Sequence, residues 1–391
     1  MKIAVNLFSA SPKSVTGAFV YIQQILPALF RIGKEDVFYL FGERGTIEYF
    51  RSLYGTLPNV KFRAFGIEPD IFTHPIRAAR KLAAKVRRDY PARERLIAAE
   101  AGNAIQEEDI SVYFSPASAI FPRGLENVAF VTTIHDLQHE YFPDNFPPHY
   151  LEERRANYAY AVARSDRLIA ISEYTKKSLQ DICDAVPEKI KVIYHAPKDR
   201  TENSAAFDTP KEFIFYPAAL WPHKNHRILI RALGILKDRF PSLCAICAGM
   251  TKGGGSKREL ESGADSEGLA GRVLFMDYVP DGHMPKLFKR AKALVFPSAF
   301  EGFGIPLVEA FHYGLPIIAA DNSSITEVVG DAGLLVPTGD AESLADAIEK
   351  VLTDERLRDE LIRRGYERAK LYSWEKAARE TLEVFYATNS R

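Results

Sequence analysis

The stretch Ala293-Leu294-Val295-Phe296-Pro297-Ser298-Ala299-Phe300-Glu301-Gly302-Phe303-Gly304-Ile305-Pro306-Leu307-Val308-Glu309 reads as strand, turn and helix in direct succession. Ala293 to Phe296 is an apolar run of the kind buried in a parallel sheet, and Glu301 to Ile305 forms the glycine-bearing turn leaving its C-terminal end. A helix is expected from Pro306, because proline's missing N–H costs nothing at the first helical position. Its pattern runs through Leu307, Val308, Ala310 and Phe311 until Gly314-Leu315-Pro316 stops it. The free N–H groups of a first turn form an anion site. Glu301 stands just before that turn and Glu309 about one turn inside, so two acceptors flank a place suited to phosphate. Carboxylates so placed grip sugar hydroxyls better than they grip phosphate. Glutamates complementing the helix dipole are the plain structural alternative.

Outward from this unit, strands and helices alternate along the whole chain, the pattern of parallel α/β sheets. Lys2 to Phe8, Val37 to Phe41, Val128 to Ile134 and Asp166 to Ser172 read as strands, and Ala18 to Gly33 as a helix. After the polar segment Pro197 to Ser204 the alternation restarts at Phe213 to Tyr216 and continues with strands at Ala245 to Ala248, Val273 to Met276 and Ile317 to Ala320. The fold class is therefore α/β, two doubly wound parallel-sheet domains whose strand ends meet at a cleft. Expected bounds are 1–198 for the first domain, 199–210 for a linker, 211–372 for the second domain and 373–391 for a terminal helix.

With 391 residues, 47% of them hydrophobic, the chain buries large cores. Lys plus Arg equals Asp plus Glu at 51 each, which offers no global field for nucleic acid. No apolar run approaches about 18 residues, and Lys2 leads straight into a strand, so a cytoplasmic protein is expected. Cys183, Cys244 and Cys247 are too few for a disulfide framework. Cys244 and Cys247 share a buried strand at an odd separation, on opposite faces, so their C-x-x-C spacing implies neither metal nor redox work.

Four other places carry polar residues at strand ends. Ser9 to Gly17 links the first strand to the first helix, where backbone N–H groups approach a phosphate or an acceptor. His135-Asp136 ends a strongly apolar strand; with His139 it imitates the H-E-x-x-H zinc motif, but the nearby Pro143, Pro147 and Pro148 oppose the helix which that motif needs. In Trp221-Pro222-His223-Lys224-Asn225-His226, a lysine at a strand-to-helix turn is suited to a diphosphate. Asp277-Tyr278-Val279-Pro280 closes another strand, while Lys252 to Lys257 fits no phosphate-loop spacing and reads as a plain loop.

Glu301 to Glu309 resembles the E-x7-E signature of the family 4 retaining glycosyltransferases, and the resemblance extends from Met1 to the last helix. It implies the GT-B architecture, with a final helix after Ser373-Trp374-Glu375 crossing back to the first domain. By the same resemblance His135, with Asp136 alongside, touches the donor sugar, Lys224 holds the diphosphate, Glu301 holds the sugar and Glu309 the ribose diol. Gly17 matches the glycine loop, although two adjacent glycines are usual and Thr16-Gly17-Ala18 stands here. The backbone of Tyr278 and Val279 meets the nucleobase, and Gly302, Phe303, Gly304, Ile305, Pro306 and Leu307 shape the donor turn. The family arginine five or six positions before Lys224 is absent, with Ala218 and Ala219 in its place, which leaves open what replaces the second cation, with His223 and His226 as the available candidates.

No D-x-D sequence occurs, so protein cations and a helix N-terminus are expected to serve the leaving diphosphate, without a metal or other cofactor. Departure of the nucleoside diphosphate leaves an oxocarbenium-like sugar. Trp221 to Asn225 and Ser373 to Glu375 resemble the mannosyltransferase-like branch, which implies GDP-mannose as first donor and UDP-sugars as second. From Arg77 to Arg95, eight basic residues stand against Asp89 and Glu94, with Ile76 just before them and Leu82, Ala83 and Val86 between, a basic amphipathic helix able to lie on anionic lipid. The expected partners are a nucleotide-sugar donor, a glycan or lipid-linked acceptor of surface polysaccharide synthesis, and the inner membrane face. The alternative is a nucleotide-sugar epimerase or hydrolase of related two-domain architecture, which would need no acceptor.

Overall fold

A computed structural model describes residues 1–12, 16–66, 77–202, 207–249 and 257–389, with backbone only for 77–91. The strands form two sheets, and every pairing in both is parallel. The first holds β1 (Lys2–Asn6), β2 (Val37–Gly42), β3 (Val60–Ala64), β4 (Val112–Ser115), β5 (Ala129–Ile134), β6 (Arg167–Ala170) and β7 (Ile190–Val192), in the order β3-β2-β1-β4-β5-β6-β7. The second holds β8 (Phe213–Tyr216), β9 (Cys244–Ala248), β10 (Val273–Met276), β11 (Leu294–Phe296), β12 (Ile317–Ala320) and β13 (Gly333–Val336), in the order β10-β9-β8-β11-β12-β13. Strand order reverses between β1 and β4 and again between β8 and β11. The crevice beyond the C-terminal strand ends at such points is where doubly wound sheets bind ligands.

Central strands buried on both faces must be apolar throughout, and Phe213-Ile214-Phe215-Tyr216 and Ile317-Ile318-Ala319-Ala320 are buried along their whole length. Caps set where the helices begin. Thr16 accepts from Phe19 N to open Gly17–Ile32, and Ser172 accepts from Thr175 N at 3.0 Å to open Glu173–Cys183. The helix expected from Pro306 spans Ile305–His312, one residue earlier, because Gly304 at φ +90° turns the chain into it.

The last helix, Trp374–Asn389, packs on the first sheet, where Ala378, Leu382 and Phe385 join Ile3, Val5 and Phe114 in one core. Phe385 is fully buried, with its ring 5.0 Å from Phe114, and Tyr386 OH donates to Asp36 at 2.6 Å. Truncating such a phenylalanine to alanine costs about 3–5 kcal/mol. The chain thus passes between the sheets twice, and Trp374 Nε1 donates to Pro197 O at 2.9 Å to tie the two passages together. Among the described residues no helix is long and apolar enough to cross a membrane. The backbone of Arg77 to Arg95 is helical within Arg77–Glu107, while the basic side chains over 77–91 lie outside the described residues.

Candidate active site

At the switch point of the second sheet, β8 and β11 each release a loop, and hydrogen bonds join the two loops. After β8 the chain enters one 3-10 turn, Pro222–Lys224, closed by Asn225 in the left-handed region at φ 54°. Tyr216 OH donates to Lys224 O at 2.7 Å, Asn225 Nδ2 donates to Pro297 O at 3.1 Å, and Ala299 N donates to His223 O at 2.7 Å. Lys224 Nζ is thereby held 2.7 Å from Glu301 Oε1, with the two side chains 17% and 12% exposed. Glu301 N donates to Ser323 Oγ at 3.0 Å and its carbonyl accepts from Ser324 Oγ at 2.9 Å. Ser323 itself has φ 45°, a left-handed serine opening the short helix Ser323–Val329. The sequence signal for this support was the Asn-Ser-Ser cluster following β12, which motif reading passed over.

Glu309 lies about one turn inside the helix Ile305–His312 but is almost fully buried, and burial pushes its carboxyl above the usual range, opposed by Arg200. Arg200 Nε donates to Glu309 Oε1 at 2.9 Å, and Arg200 and Lys198 both reach the Asp281 carboxylate at 2.5 Å. The polar segment expected as a plain linker is therefore fastened along the second sheet's ligand edge. Composition alone gave no sign of this, since its partners are 80 to 110 positions away in sequence. Phe303 and Leu307 are buried, and Leu307 N donates to Gly304 O at 2.9 Å. Beyond β10, Tyr278 is 63% exposed whereas Val279 is buried in the core. Gly249, ending β9, needs its missing side chain: a Cβ there would lie 2.3 Å from Ala218 O.

On the facing side, His135 ends β5. Its Nε2 lies 2.8 Å from Pro116 O and its backbone N–H donates to Ser118 Oγ at 3.1 Å, with the ring packed against Tyr21 and His195. Burial lowers its pKa, so the neutral ring donates through Nε2 and keeps Nδ1 as an acceptor. Asp136 Oδ1 accepts from Gln138 N at 3.0 Å and from Arg154 at 3.5 Å. The zinc-like spacing is not realised: the helix here is only Gln138–Tyr141, and His139 turns to Tyr158 and Arg154. Among the described residues no group of three His, Cys, Asp or Glu side chains is placed to hold a metal ion.

The histidines beside Lys224 correct the expectation that one of them supplies a second cation. His223 is buried, with Gln138 Nε2 donating to its ring at 3.0 Å, and burial followed by the Lys224 charge lowers its pKa to about 3. His226 falls to about 4 for the same reasons. Both rings are neutral at pH 7. Gly17 opens the helix Gly17–Ile32, and a Cβ there would meet nothing within 4 Å, so packing does not demand glycine. Residues 13–15 of its loop and 250–256 of the Lys252 loop lie outside the described residues.

The two sides meet at Gly302. A Cβ on it would sit 2.3 Å from His135 O, so the loop after β11 rests on the backbone that carries His135. Sequence reading also missed Glu327. Its carboxylate accepts from Glu173 N and Tyr174 N, each at 3.0 Å, and from Tyr194 OH at 3.2 Å. A carboxylate from the second half thereby caps the helix Glu173–Cys183 of the first, where the helix dipole favours negative charge.

Two family profiles match successive parts of the chain: "Glycosyltransferase Family 4" over residues 59–196 and "Glycosyl transferases group 1" over residues 197–368. The chain is 26% identical over 296 residues to O-antigen chain mannosyltransferase B of Escherichia coli, covering 72% of this chain and 76% of that protein. It is 31% identical over 222 residues to O-antigen chain mannosyltransferase RfbU of Salmonella typhimurium, covering 56% of this chain and 60% of that protein. Sucrose-phosphate synthase from Thermosynechococcus elongatus shares the fold, with TM-score 0.74 at 19% identity over 99% of this chain and 98% of that one. With two opposed doubly wound sheets and E-x7-E at the second switch point, the chain belongs to the family 4, group 1 glycosyltransferases of GT-B fold.

Proposed function

We propose that the protein transfers a hexose, mannose first, from a nucleoside diphosphate sugar to a glycan or lipid-linked acceptor in surface polysaccharide synthesis, with retention at the anomeric carbon. The observation that carries this reading is the Lys224–Glu301 pair at the second switch point, with Gly302 seated on His135. Mannosyltransferase relatives support the sugar, and GDP is the first nucleotide to test. In this reading Lys224 holds the diphosphate, and Glu301 trades its lysine contact for a sugar hydroxyl. His135, fixed by Pro116 and Ser118, accepts a sugar hydroxyl at Nδ1. Asp136 orients this corner through Gln138 and Arg154. His223 is a neutral spacer between Lys224 and Gln138, and Gly17 leaves room at the mouth.

The step balances without further reactants. The acceptor oxygen bonds to the anomeric carbon, the bond from that carbon to the phosphate oxygen breaks, and its electron pair leaves with the nucleoside diphosphate. The acceptor proton passes to the leaving phosphate. Preorganised charge at that phosphate is the largest aid which the protein offers. The chain itself supplies this charge, so no metal ion is required. A thermal-shift panel of nucleoside diphosphate sugars, run with and without EDTA, tests the reading, since a ligand that binds only the folded state raises Tm by mass action. GDP-mannose is expected to raise Tm equally in both buffers. Absence of a shift with every nucleotide sugar, or a shift abolished by EDTA and restored by Mn2+, would contradict it.

Glu309 holds the ribose diol in this account, and Arg200 then competes with the ribose or shares the carboxylate with it. Substituting Glu309 by alanine removes a contact made equally in ground and transition states, so donor KM rises while kcat changes little. A wild-type KM with a collapsed kcat would reassign the residue to chemistry.

We further propose that the helix beginning at Arg77 meets anionic membrane. Each basic residue near such a surface contributes about 1 kcal/mol, screened over about 8–10 Å. Reversing Arg80, Lys81, Arg87 and Arg88 to glutamate is expected to abolish sedimentation with anionic vesicles and to leave donor binding unchanged. Failure of the wild type to sediment at low salt points instead to a soluble acceptor.

A further inference from the structure

A cavity of about 640 Å³ opens at the other switch point, between β1 and β4, and none of its residues belongs to the donor-side constellation. Sites for small ligands run from about 300 to 1,000 Å³. One loop connects the cavity to the reaction site. Pro116 and Ser118 fix His135, and Ala119, Ile120 and Phe121, directly after them, line the cavity. Asn6 at the end of β1 braces this loop by donating to Ser115 Oγ at 3.2 Å and Ala119 O at 3.1 Å.

The lining combines an aromatic wall with alternating charges. Phe8 and Phe121 meet edge to face with ring centroids 5.1 Å apart. Their polar counterparts are Glu43, Arg93, Arg123 and Asn157, together with Glu94 and Glu153. Both guanidiniums are already engaged. Arg93 pairs with Glu43 at 2.8 Å, while Arg123 donates to Asn157 Oδ1 at 2.8 Å and lies over the Tyr160 ring at 4.8 Å. Three carboxylates against two guanidiniums give a formal charge of about −1, hostile to a phosphate, which asks for uncommitted arginine or lysine. Hydroxyls suit this wall, because each can donate to a carboxylate and accept from a guanidinium at once.

We propose that this cavity takes the terminal sugar of the acceptor and selects an uncharged pyranose, stacked on Phe8 and Phe121, over a phosphorylated or carboxylated one. The proposal rests on the transferase reading above and adds the acceptor's chemistry to it. A neutral sugar of this kind is the free end of a soluble oligosaccharide or of a lipid-linked one.

Saturation-transfer NMR on the full chain tests it, with methyl α-mannobioside, its phosphorylated form, and the same disaccharide on a lipid in anionic nanodiscs as probes. The neutral disaccharide is expected to bind, and its Kd to rise at least tenfold in Phe8→Ala and in the milder Asn157→Ala. Tighter binding on the nanodisc identifies a lipid-linked source, and equal binding a free glycan end; either agrees with the proposal. A phosphorylated probe that binds as well as the neutral one, neutral binding untouched in both variants, or no binding of any probe would overturn it. Nucleotide-sugar thermal shifts on the same samples separate the two claims. If they are present in the wild type while the neutral disaccharide fails to bind it, or binds it and both variants alike, the cavity assignment alone falls; if they are absent in the wild type, the transferase reading falls.

Discussion

Lys224→Ala is expected to lower kcat/KM for the nucleotide-sugar donor by about 10²- to 10³-fold, the range for removing one preorganised electrostatic partner of a developing charge. The fold should survive, because Tyr216 OH is bonded to the backbone carbonyl of Lys224, which alanine retains. Two effects add in the same direction. The leaving diphosphate loses its cation, and Glu301, only 12% exposed, keeps a negative charge with no partner at the place where that diphosphate must sit. Lys224→Arg should recover part of the loss only, since a planar fork does not reproduce a compact point charge held beside one carboxylate oxygen. Steady-state kinetics with the donor varied provide the check. Activity within threefold of wild type would show that another cation carries the diphosphate. Arg200, ion-paired with Glu309 and Asp281 at the second sheet's ligand edge, is then the first to examine.

Gly302→Ala is expected to reduce kcat by about 100-fold while leaving nucleotide binding near wild type. The added Cβ would sit 2.3 Å from His135 O and 3.0 Å from the Asp136 side chain, so the two loops must part by about 1 Å, a displacement able to cost about 10² in rate. Lys224 and Glu301 move together with the second sheet, and their grip on the nucleotide is kept. His135 and the acceptor side are left behind. Comparing the donor's thermal shift with kcat in one preparation distinguishes this result from misfolding. An alanine variant of full activity would show that the contact between Gly302 and His135 is not part of the working arrangement.

How far the sequence could be read depended on where each residue's partners lie. Strands buried on both faces were legible because Phe213 to Tyr216, Ala293 to Phe296 and Ile317 to Ala320 have no polar alternative. Other strands escaped notice. In β3, Val60-Lys61-Phe62-Arg63-Ala64 alternates, as an edge strand with one wet face does, and the three-residue β7 is too short to show a period. The pairing of Lys224 with Glu301 could not be read directly, since 77 positions separate them, but both stood at strand ends and the topology brings such ends together. Arg200 and Glu327 were invisible for the converse reason: one lies in a polar stretch and the other on a short helix, and only the tertiary fold gives either a partner. The reading of His223 as a cation failed on burial. A histidine next to a lysine looks basic in sequence, yet desolvation and that same lysine keep it neutral.

The central claim is a transfer with retention, carried out by the chain's own charges. Incubating the enzyme with GDP-mannose and a mannosyl acceptor in the presence of EDTA, and reading the anomeric proton of the product by NMR, tests it most directly. The account predicts a new α-glycosidic linkage, the configuration of the donor. A β-linked product would contradict retention, and free mannose formed at the same rate with or without acceptor would mark a hydrolase.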